Sequence, residues 1–201
     1  VQGKSVMGPH WGRGREWAEI VTPPRHPLPI LGLGGTVSTP PGGVEADILV
    51  VSSLEELRNR ETEARGKIVL FNVAYNGYVD TVGYRNSGAR EAARQGAVAV
   101  LVRSIAPVGL RTMHTGSVSY AADVAPIPAA AVAVEDANRL ARLARGGRWV
   151  RLRLVLEGHN EPDVESANVV GEIVGREKPN EIVLRGGHLD SAVVICDNGK
   201  T

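Results

Sequence analysis

Two side chains near the C-terminal end of the sequence, His188 and Asp190, are of types that bind metal ions, and they lie two residues apart. In an extended chain such residues project to the same side, so the two groups could meet at one point. His188 could ligate a metal ion there, and Asp190 could either ligate it as well or fix the imidazole from behind. A turn containing a hydrogen-bonded aspartate is the alternative that this spacing also fits.

The residues before His188 predict the element that positions it. Residues 182–184 are a continuous apolar run, which is typical of a strand buried on both faces. Gly186 and Gly187 then allow a tight bend where the chain leaves the sheet. We therefore expect His188 at the carboxyl edge of a strand, where catalytic groups of open α/β sheets collect.

The sequence GGHLDS after a strand, preceded by SANVVGEIVGREKPNEIVL, is similar to the first metal-binding segment of the M28 family of zinc peptidases. The resemblance implies that His188 ligates zinc, that Asp190 orients the site, and that a complete enzyme holds two zinc ions with a bridging water. Asp197 resembles the bridging aspartate of the family but follows earlier in the chain than the family pattern requires. The Glu-Glu pair, further acid and last histidine of the family do not follow in this sequence.

Composition excludes some other classes of function. The 201 residues carry 23 basic and 22 acidic side chains, which give a net charge of +1. So small a net charge produces no strong positive field that would attract nucleic acid. No apolar run approaches the roughly 20 residues that a membrane helix needs. The single cysteine, Cys196, precludes an internal disulfide and is predicted to be an inert apolar side chain, so it leaves the cellular compartment open.

The middle of the chain alternates strand and helix patterns. Strands are predicted over residues 45–51, 67–73, 97–104, 126–134 and 149–158, and helices over 52–64, 81–97 and 135–147. Ser52 with Glu55, or Ser53 with Glu56, is predicted to form a capping box. The last strand alternates strictly, with Val150, Leu152, Leu154 and Leu156 inward and Arg151, Arg153 and Val155 outward. One solvated face indicates a strand at the edge of a half-open sheet.

The segments EARGKIVLFN and PIPAAAVAVEDANRL, with a small-residue helix before AVAVLVRS, resemble a protease-associated domain, a β-sandwich-like insert of several peptidase families. The predicted fold class is α/β (α+β): this domain over residues 25–158, and a partial α/β sheet of a zinc exopeptidase. Residues 1–24 would be an N-terminal segment of the peptidase domain and residues 159–201 its truncated start, because a proline cluster marks the first crossing and the polar segment EGHNEPD marks the second. We expect residues 25–158 to form their own core, with residues 16–22, 167–174 and 181–187 outside it as strands of an incomplete second sheet.

The remaining candidates give weaker signals. His10, His26, His114 and His159 have no ligand partners at useful sequence spacing, and packing or loop roles are expected for them. Gly32, Gly34 and Gly35 resemble a dinucleotide-binding loop, but Val37 occupies the third fingerprint position and two prolines follow, so no cofactor-binding residues are predicted.

Two functions from different classes follow from these observations. The resemblance implies a fragment of an exported zinc exopeptidase, secreted or periplasmic, that cleaves dipeptides or removes a terminal residue from short peptides, with a homodimer as its possible assembly. Its catalytic set would be incomplete in these 201 residues. The alternative is a stand-alone interaction module without peptidase activity.

Overall fold

The computed structural model describes residues 2–22, 24–106, 109–147, 149–187 and 193–194, and within these it describes the side chains of residues 7–187. The strands are β1 (Gln2–Gly12), β2 (Glu16–Ile20), β3 (His26–Leu28), β4 (Ile30–Gly32), β5 (Val44–Val51), β6 (Ile68–Phe71), β7 (Ala99–Arg103), β8 (Met113–His114), β9 (Ala129–Val132), β10 (Arg151–Leu156), β11 (His159–Val170) and β12 (Val193–Val194). The helices are α1 (Leu54–Asn59), α2 (Glu61–Ala64), α3 (Tyr78–Arg94) and α4 (Val134–Arg145). In the described residues, no helix is long and apolar enough to cross a membrane.

Eight strands form one mixed sheet in the order β3-β2-β10-β5-β6-β7-β9-β4. The four central strands β5, β6, β7 and β9 are parallel, and the flanking strands pair antiparallel. Parallel strands need crossover connections. α1 with α2 joins β5 to β6, α3 joins β6 to β7, and a segment that contains β8 joins β7 to β9. The predicted mixed, sheet-rich α/β class is confirmed.

The sheet rolls up until its two edges meet. β3 and β4 lie at opposite edges of the strand order, yet Pro29 alone separates them in the chain. The Gly32 amide of β4 donates to Glu16 Oε2 of β2, the strand next to the β3 edge, at 3.0 Å. A side chain, rather than pairing of β3 with β4, thus bridges the sheet at this point.

Two apolar cores lie on the two faces of this rolled sheet. Successive residues of a strand face opposite sides, so Ile68 and Leu70 of β6 face the inner core whereas Val69 and Phe71 face the outer one. α4 covers the inner core with Ala137 and Leu140, and α1 and α3 cover the outer core. Burying each large side chain stabilises the fold by about 1.5–3 kcal/mol, so the rolled sheet supports its own folding.

The local signals for helices are largely realised. Ser53 caps α1 by accepting a hydrogen bond from the Glu56 amide at 2.9 Å, and Glu56 Oε2 accepts from the Ser52 amide at 2.7 Å. α3 occupies Tyr78–Arg94, so it begins and ends three residues before the predicted bounds. Gly88 of α3 packs against the Phe71 ring, where a Cβ atom would come within 2.9 Å of it. The small-residue face thus brings α3 close to the sheet, as predicted.

Two expectations about strand placement are wrong. Residues 16–20 do not lie outside the core: β2 pairs with β10 and β3, and Ala18 and Ile20 are buried in the inner core. β10 is not an edge strand, because β2 and β5 flank it. The outward arginines indicated an edge strand, but an internal strand can also have one solvated face. On that face Arg151 forms ion pairs with Glu45 and Asp47 of the neighbouring strand β5.

β1 and β11 form a separate two-stranded antiparallel ribbon that extends from the rolled sheet. Every residue of β11 is exposed, and residues 171–187 that follow have no helix or strand. We call β1, β11 and residues 171–187 the arm.

The buried strand predicted at residues 182–184 is wrong, because Ile182, Val183 and Leu184 are 86%, 87% and 88% exposed. An apolar run is buried only where neighbouring strands cover it, and none in the described chain pairs with these residues. The predicted strand at residues 167–174 is present as far as Val170. The division into segments 1–24, 25–158 and 159–201 stays a prediction.

Candidate functional site

The residues predicted to bind or orient zinc, His188, Asp190 and Asp197, lie outside the described residues. Cys196 lies outside them as well. Over the described ranges, no group of three or more His, Cys, Asp or Glu side chains could hold a metal ion. The described part of the chain therefore does not itself fit zinc, and the structure shows instead how the segment leading to His188 is attached.

The arm is fixed to the rolled sheet through Trp11 and Arg13. The Trp11 indole donates to the Thr36 carbonyl oxygen at 2.9 Å, and the Arg13 guanidinium lies 5.0 Å from the indole ring centre. Arg13 Nη1 also donates to the Gly32 carbonyl oxygen at 2.9 Å and pairs with Glu16 at 2.7 Å. Gly158, at the start of the ribbon's return strand, leaves the space that the indole fills.

Three side chains of the ribbon converge in a way that sequence spacing did not reveal. His10 Nδ1 lies 3.3 Å from Glu161 Oε2, and His159 Nε2 lies 3.5 Å from Glu161 Oε1. The antiparallel register places His10 opposite Glu161 and Gly12 opposite His159, so residues about 150 positions apart share one face. Only the pairing of β1 with β11, two strands far apart in the sequence, brings these side chains together. The cluster ties the two strands together across the ribbon.

Arg15 and Glu157 form a further link at the base of the arm. Arg15 Nη2 and Nε donate to Glu157 Oε1 at 2.6 and 3.0 Å, and the Arg15 amide donates to Oε2 at 3.2 Å. The Arg15 hydrogen bonds hold the pKa of Glu157 below its ordinary value of 4.5. A carboxylate that accepts charge-assisted bonds prefers its ionised form, so this link is formed at neutral pH.

His114 lies in a short strand rather than in a loop. β8, which contains it, pairs with β12, so Val193 lies opposite His114 only a few residues after Asp190 in the chain. The His114 ring contacts the rolled sheet, since its Nδ1 lies 3.0 Å from the Ile105 carbonyl oxygen. The loop before β8 is in turn anchored by Arg111, which forms two hydrogen bonds of 2.9 and 3.2 Å to the buried Asp136 of α4.

No family model matches the chain. Curated proteins do: carboxypeptidase Q from Xenopus laevis is 48% identical over 186 residues, which are 92% of this chain and 40% of that protein. Human carboxypeptidase Q is 46% identical over 186 residues, again 92% of this chain and 39% of the relative. This chain thus spans about two-fifths of the length of the curated relatives it matches.

Solved structures of M28 and zinc peptidases are also similar to this chain. A peptidase M28 precursor from Shewanella amazonensis superposes with a TM-score of 0.78 at 31% identity, over 83% of this chain and 39% of that one. BSAP, a zinc aminopeptidase from Bacillus subtilis, superposes with a TM-score of 0.54 at 15% identity, over 82% of this chain and 35% of that one, and so supports the fold alone. The chain therefore belongs to the M28 peptidase family and is similar within it to carboxypeptidase Q.

Proposed function

We propose that this chain is part of a metal-dependent exopeptidase that hydrolyses dipeptides or releases a terminal residue from short peptides. The observation that carries the proposal is the identity of 46–48% to carboxypeptidases Q over 92% of the chain. The 31% identical M28 structure supports it with a shared fold over 83% of the chain. Export to the outside of the cell or to a periplasm, and a homodimeric assembly, are further expectations from the same resemblance.

Within this proposal residues 25–158 are the protease-associated domain, whose sheet β2 also joins, and the arm connects this domain to the catalytic domain. His188 is proposed as a zinc ligand and Asp190 as the residue that orients it, with Asp197 as a further candidate ligand. Two zinc ions would supply Lewis acidity and a water of lowered pKa in the complete enzyme. Because catalytic zinc sites use three protein ligands, these residues alone are too few for a catalytic site.

The test compares the 201-residue chain with the product of the whole reading frame that contains it. For the 201-residue chain we expect neither stoichiometric zinc in equilibrium dialysis at neutral pH nor dipeptide hydrolysis. For the longer product we expect both, and we expect the change His188→Ala to remove most of the bound zinc and the turnover. Circular dichroism of the variant controls for folding.

Two results would contradict the proposal. One is a longer product that hydrolyses no dipeptide or blocked peptide in a broad panel. The other is a His188→Ala variant that retains zinc and activity. The 201-residue chain binding zinc stoichiometrically at submicromolar free metal would show that its ligand set is complete, contrary to this account.

The second candidate, an interaction module without peptidase activity, is favoured by one observation. The rolled sheet carries two cores of its own, one on each face, so it does not need the arm to bury its apolar side chains. A longer product without hydrolytic activity, combined with a stably folded rolled sheet, would favour this candidate.

A further inference from the structure

An asparagine followed by a glycine lies directly before α3. Asn76 and Gly77 belong to the loop of residues 72–77 that leaves β6, and both are exposed. Gly77 precedes the first turn of α3 with a φ of +84°, a conformation that side chains rarely adopt. No described atom lies within 4 Å of the position that a Cβ atom would take at Gly77. The backbone at this pair is therefore in open space and is free to adjust.

The backbone amide of Gly77 is available to react with the side chain of Asn76. No backbone carbonyl among the described residues accepts from the Gly77 N–H, and the side-chain hydrogen bonds of the loop do not use it. The Asn76 side chain is held by one long hydrogen bond, from Nδ2 to Asp80 Oδ2 at 3.5 Å. Because glycine has no Cβ atom, no side chain hinders the approach of its nitrogen to Cγ of Asn76. The partial positive charge at the beginning of α3 favours the negative charge that develops on this nitrogen.

We propose that Asn76 is a site of spontaneous deamidation, the reaction that makes asparagine a thermolabile residue. The Gly77 nitrogen forms a bond to Cγ of Asn76, and the bond from Cγ to Nδ2 breaks. The side-chain nitrogen leaves as ammonia, with the proton that the Gly77 amide has lost. Water then opens the cyclic imide at either of its carbonyl groups, which gives aspartate or isoaspartate. The reaction needs only water, and the inference is independent of the peptidase proposal.

The hydrogen bonds around Asn76 connect this reaction to the start of α3. The Asn76 amide donates to Thr81 Oγ1 at 3.3 Å, and the Thr81 hydroxyl donates to the Gly77 carbonyl oxygen at 2.8 Å. Thr81 is 4% exposed, so water does not readily replace a lost partner. Isoaspartate adds a methylene group to the backbone between these two contacts, and the contacts cannot then both keep their geometry. We therefore expect the first turn of α3 to loosen.

The first turn of α3 also holds a buried arginine in place. Arg85 is 7% exposed; its Nη2 donates to the Tyr78 hydroxyl at 2.8 Å, and its Nη1 donates to the Thr115 carbonyl oxygen at 2.8 Å. The guanidinium also lies 5.7 Å from the centre of the Tyr78 ring. If Tyr78 moves with the first turn, the buried guanidinium loses an acceptor, which destabilises the fold. The modification thus acts beyond the loop, on the contact between α3 and the segment that follows β8.

The experiment incubates the 201-residue chain above neutral pH at physiological temperature and follows conversion by mass spectrometry of its peptides. We expect Asn76 to convert nearly as fast as a synthetic peptide of residues 72–81, with isoaspartate among the products. The rate should increase with pH, because the attacking nitrogen must lose its proton.

Other asparagines of the chain are internal controls. Asn180 is exposed but is followed by a glutamate, and Asn86 is fixed within α3. Both should remain unmodified while most of Asn76 converts. A second Asn-Gly pair, Asn198 with Gly199, lies outside the described residues and is measured as a separate peptide.

The variant Asn76→Gln separates this site from all other ageing of the chain. Its longer side chain has to close a larger ring, so no modification is expected at position 76. The incubated wild-type chain should melt at a lower temperature than the fresh one, whereas Asn76→Gln should keep its melting temperature through the same incubation.

Three results would overturn the proposal. One is an Asn76 that stays intact after the synthetic peptide has converted, since the fold would then prevent the attack. Another is conversion of Asn180 as fast as that of Asn76, since glycine would then have no special role. The third is equal loss of melting temperature in the wild type and in Asn76→Gln, since the modification would then not act on α3.

Discussion

The rolled sheet and the arm both contain a short apolar run, and these two runs differ in what covers them. The run IVLF of β6 is fully buried, because β5 and β7 flank it and helices pack on the sheet faces. The run IVL at residues 182–184 is almost fully exposed, because no described strand or helix lies beside it. The same kind of sequence thus produces a buried strand in one region and an exposed segment in the other.

The difference teaches that local coverage, not apolarity, decides which segments fold on their own. In the rolled sheet helices follow β5, β6 and β9 and pack on a sheet face, so neighbouring pieces of the chain complete the core. In the arm, the apolar residues Val169, Val170, Ile173 and Val174 remain exposed together with residues 182–184. Such a surface is typical of a segment that packs against structure from elsewhere.

The largest expected effect comes from truncating matched leucines in the two regions. Leu101 of β7 is 1% exposed in the inner core, so Leu101→Ala should lower the free energy of unfolding by about 2–5 kcal/mol. Leu184→Ala should change it by less than about 0.5 kcal/mol. Urea unfolding monitored by circular dichroism measures both. Similar losses in the two variants would mean that the arm is packed after all.

A smaller effect is expected where the two regions join. In Gly158→Ala the new Cβ atom would overlap the Trp11 indole and disturb its hydrogen bond to Thr36. Overpacking of this kind costs about 1–3 kcal/mol. Gly186→Ala is the matched control in the arm, since nothing lies within 4 Å of a Cβ atom there. Proteolysis of the ribbon should also accelerate in Gly158→Ala alone; unchanged stability and proteolysis would argue against a joint built on Trp11.

The ion pair at this joint predicts a dependence on pH. Because the pKa of Glu157 is lower in the folded protein than its ordinary value of 4.5, its stabilisation is present above that value and is lost as pH falls through the folded pKa. The difference in unfolding free energy between wild type and Arg15→Gln should be constant near neutrality and shrink below about pH 4.5. It should be small, because both side chains are in water.

The control for this series is Arg145→Gln, which removes an arginine that forms no ion pair with a described residue. Its difference from wild type should not change over the same pH range. A difference for Arg15→Gln that grows in acid would mean that the sign of the pKa shift of Glu157 is wrong.

The smallest effect on stability is expected from charging the exposed run. Val183→Lys should leave the free energy of unfolding nearly unchanged, because Val183 is 87% exposed, but it should raise the solubility of the 201-residue chain by interrupting an apolar surface. Light scattering at increasing concentration measures this. Unchanged or stronger aggregation would count against the exposed run as the site of association.

Much of the rolled sheet could be predicted from sequence, because its elements carry local signals. The Ser53 cap of α1, the small-residue face of α3 and the inward leucines of β10 correspond to what the structure shows. Val155 does not, because it was predicted to face solvent and is buried. The membership of β2 could not be predicted, since it depends on pairing with β10, more than 130 residues later in the chain.

The candidate site likewise has features that follow from a local motif and features that depend on long-range pairing. The resemblance predicts roles for His188 and Asp190 from a short motif, which needs no knowledge of the surrounding structure. The cluster of His10, Glu161 and His159 and the approach of β12 to His114 depend on long-range strand pairing. Sequence spacing carries no record of such pairing, so these contacts became visible only in the folded chain.

Hydrogen–deuterium exchange of the 201-residue chain, followed by mass spectrometry, tests the contrast between the two regions most directly. Amides of β6, β7 and β9 should exchange only through global unfolding, whereas those of residues 171–187 should exchange at the rate of an unstructured peptide. Protection of residues 182–184 comparable to that of β6 would contradict the account, because it would place this run in a folded core.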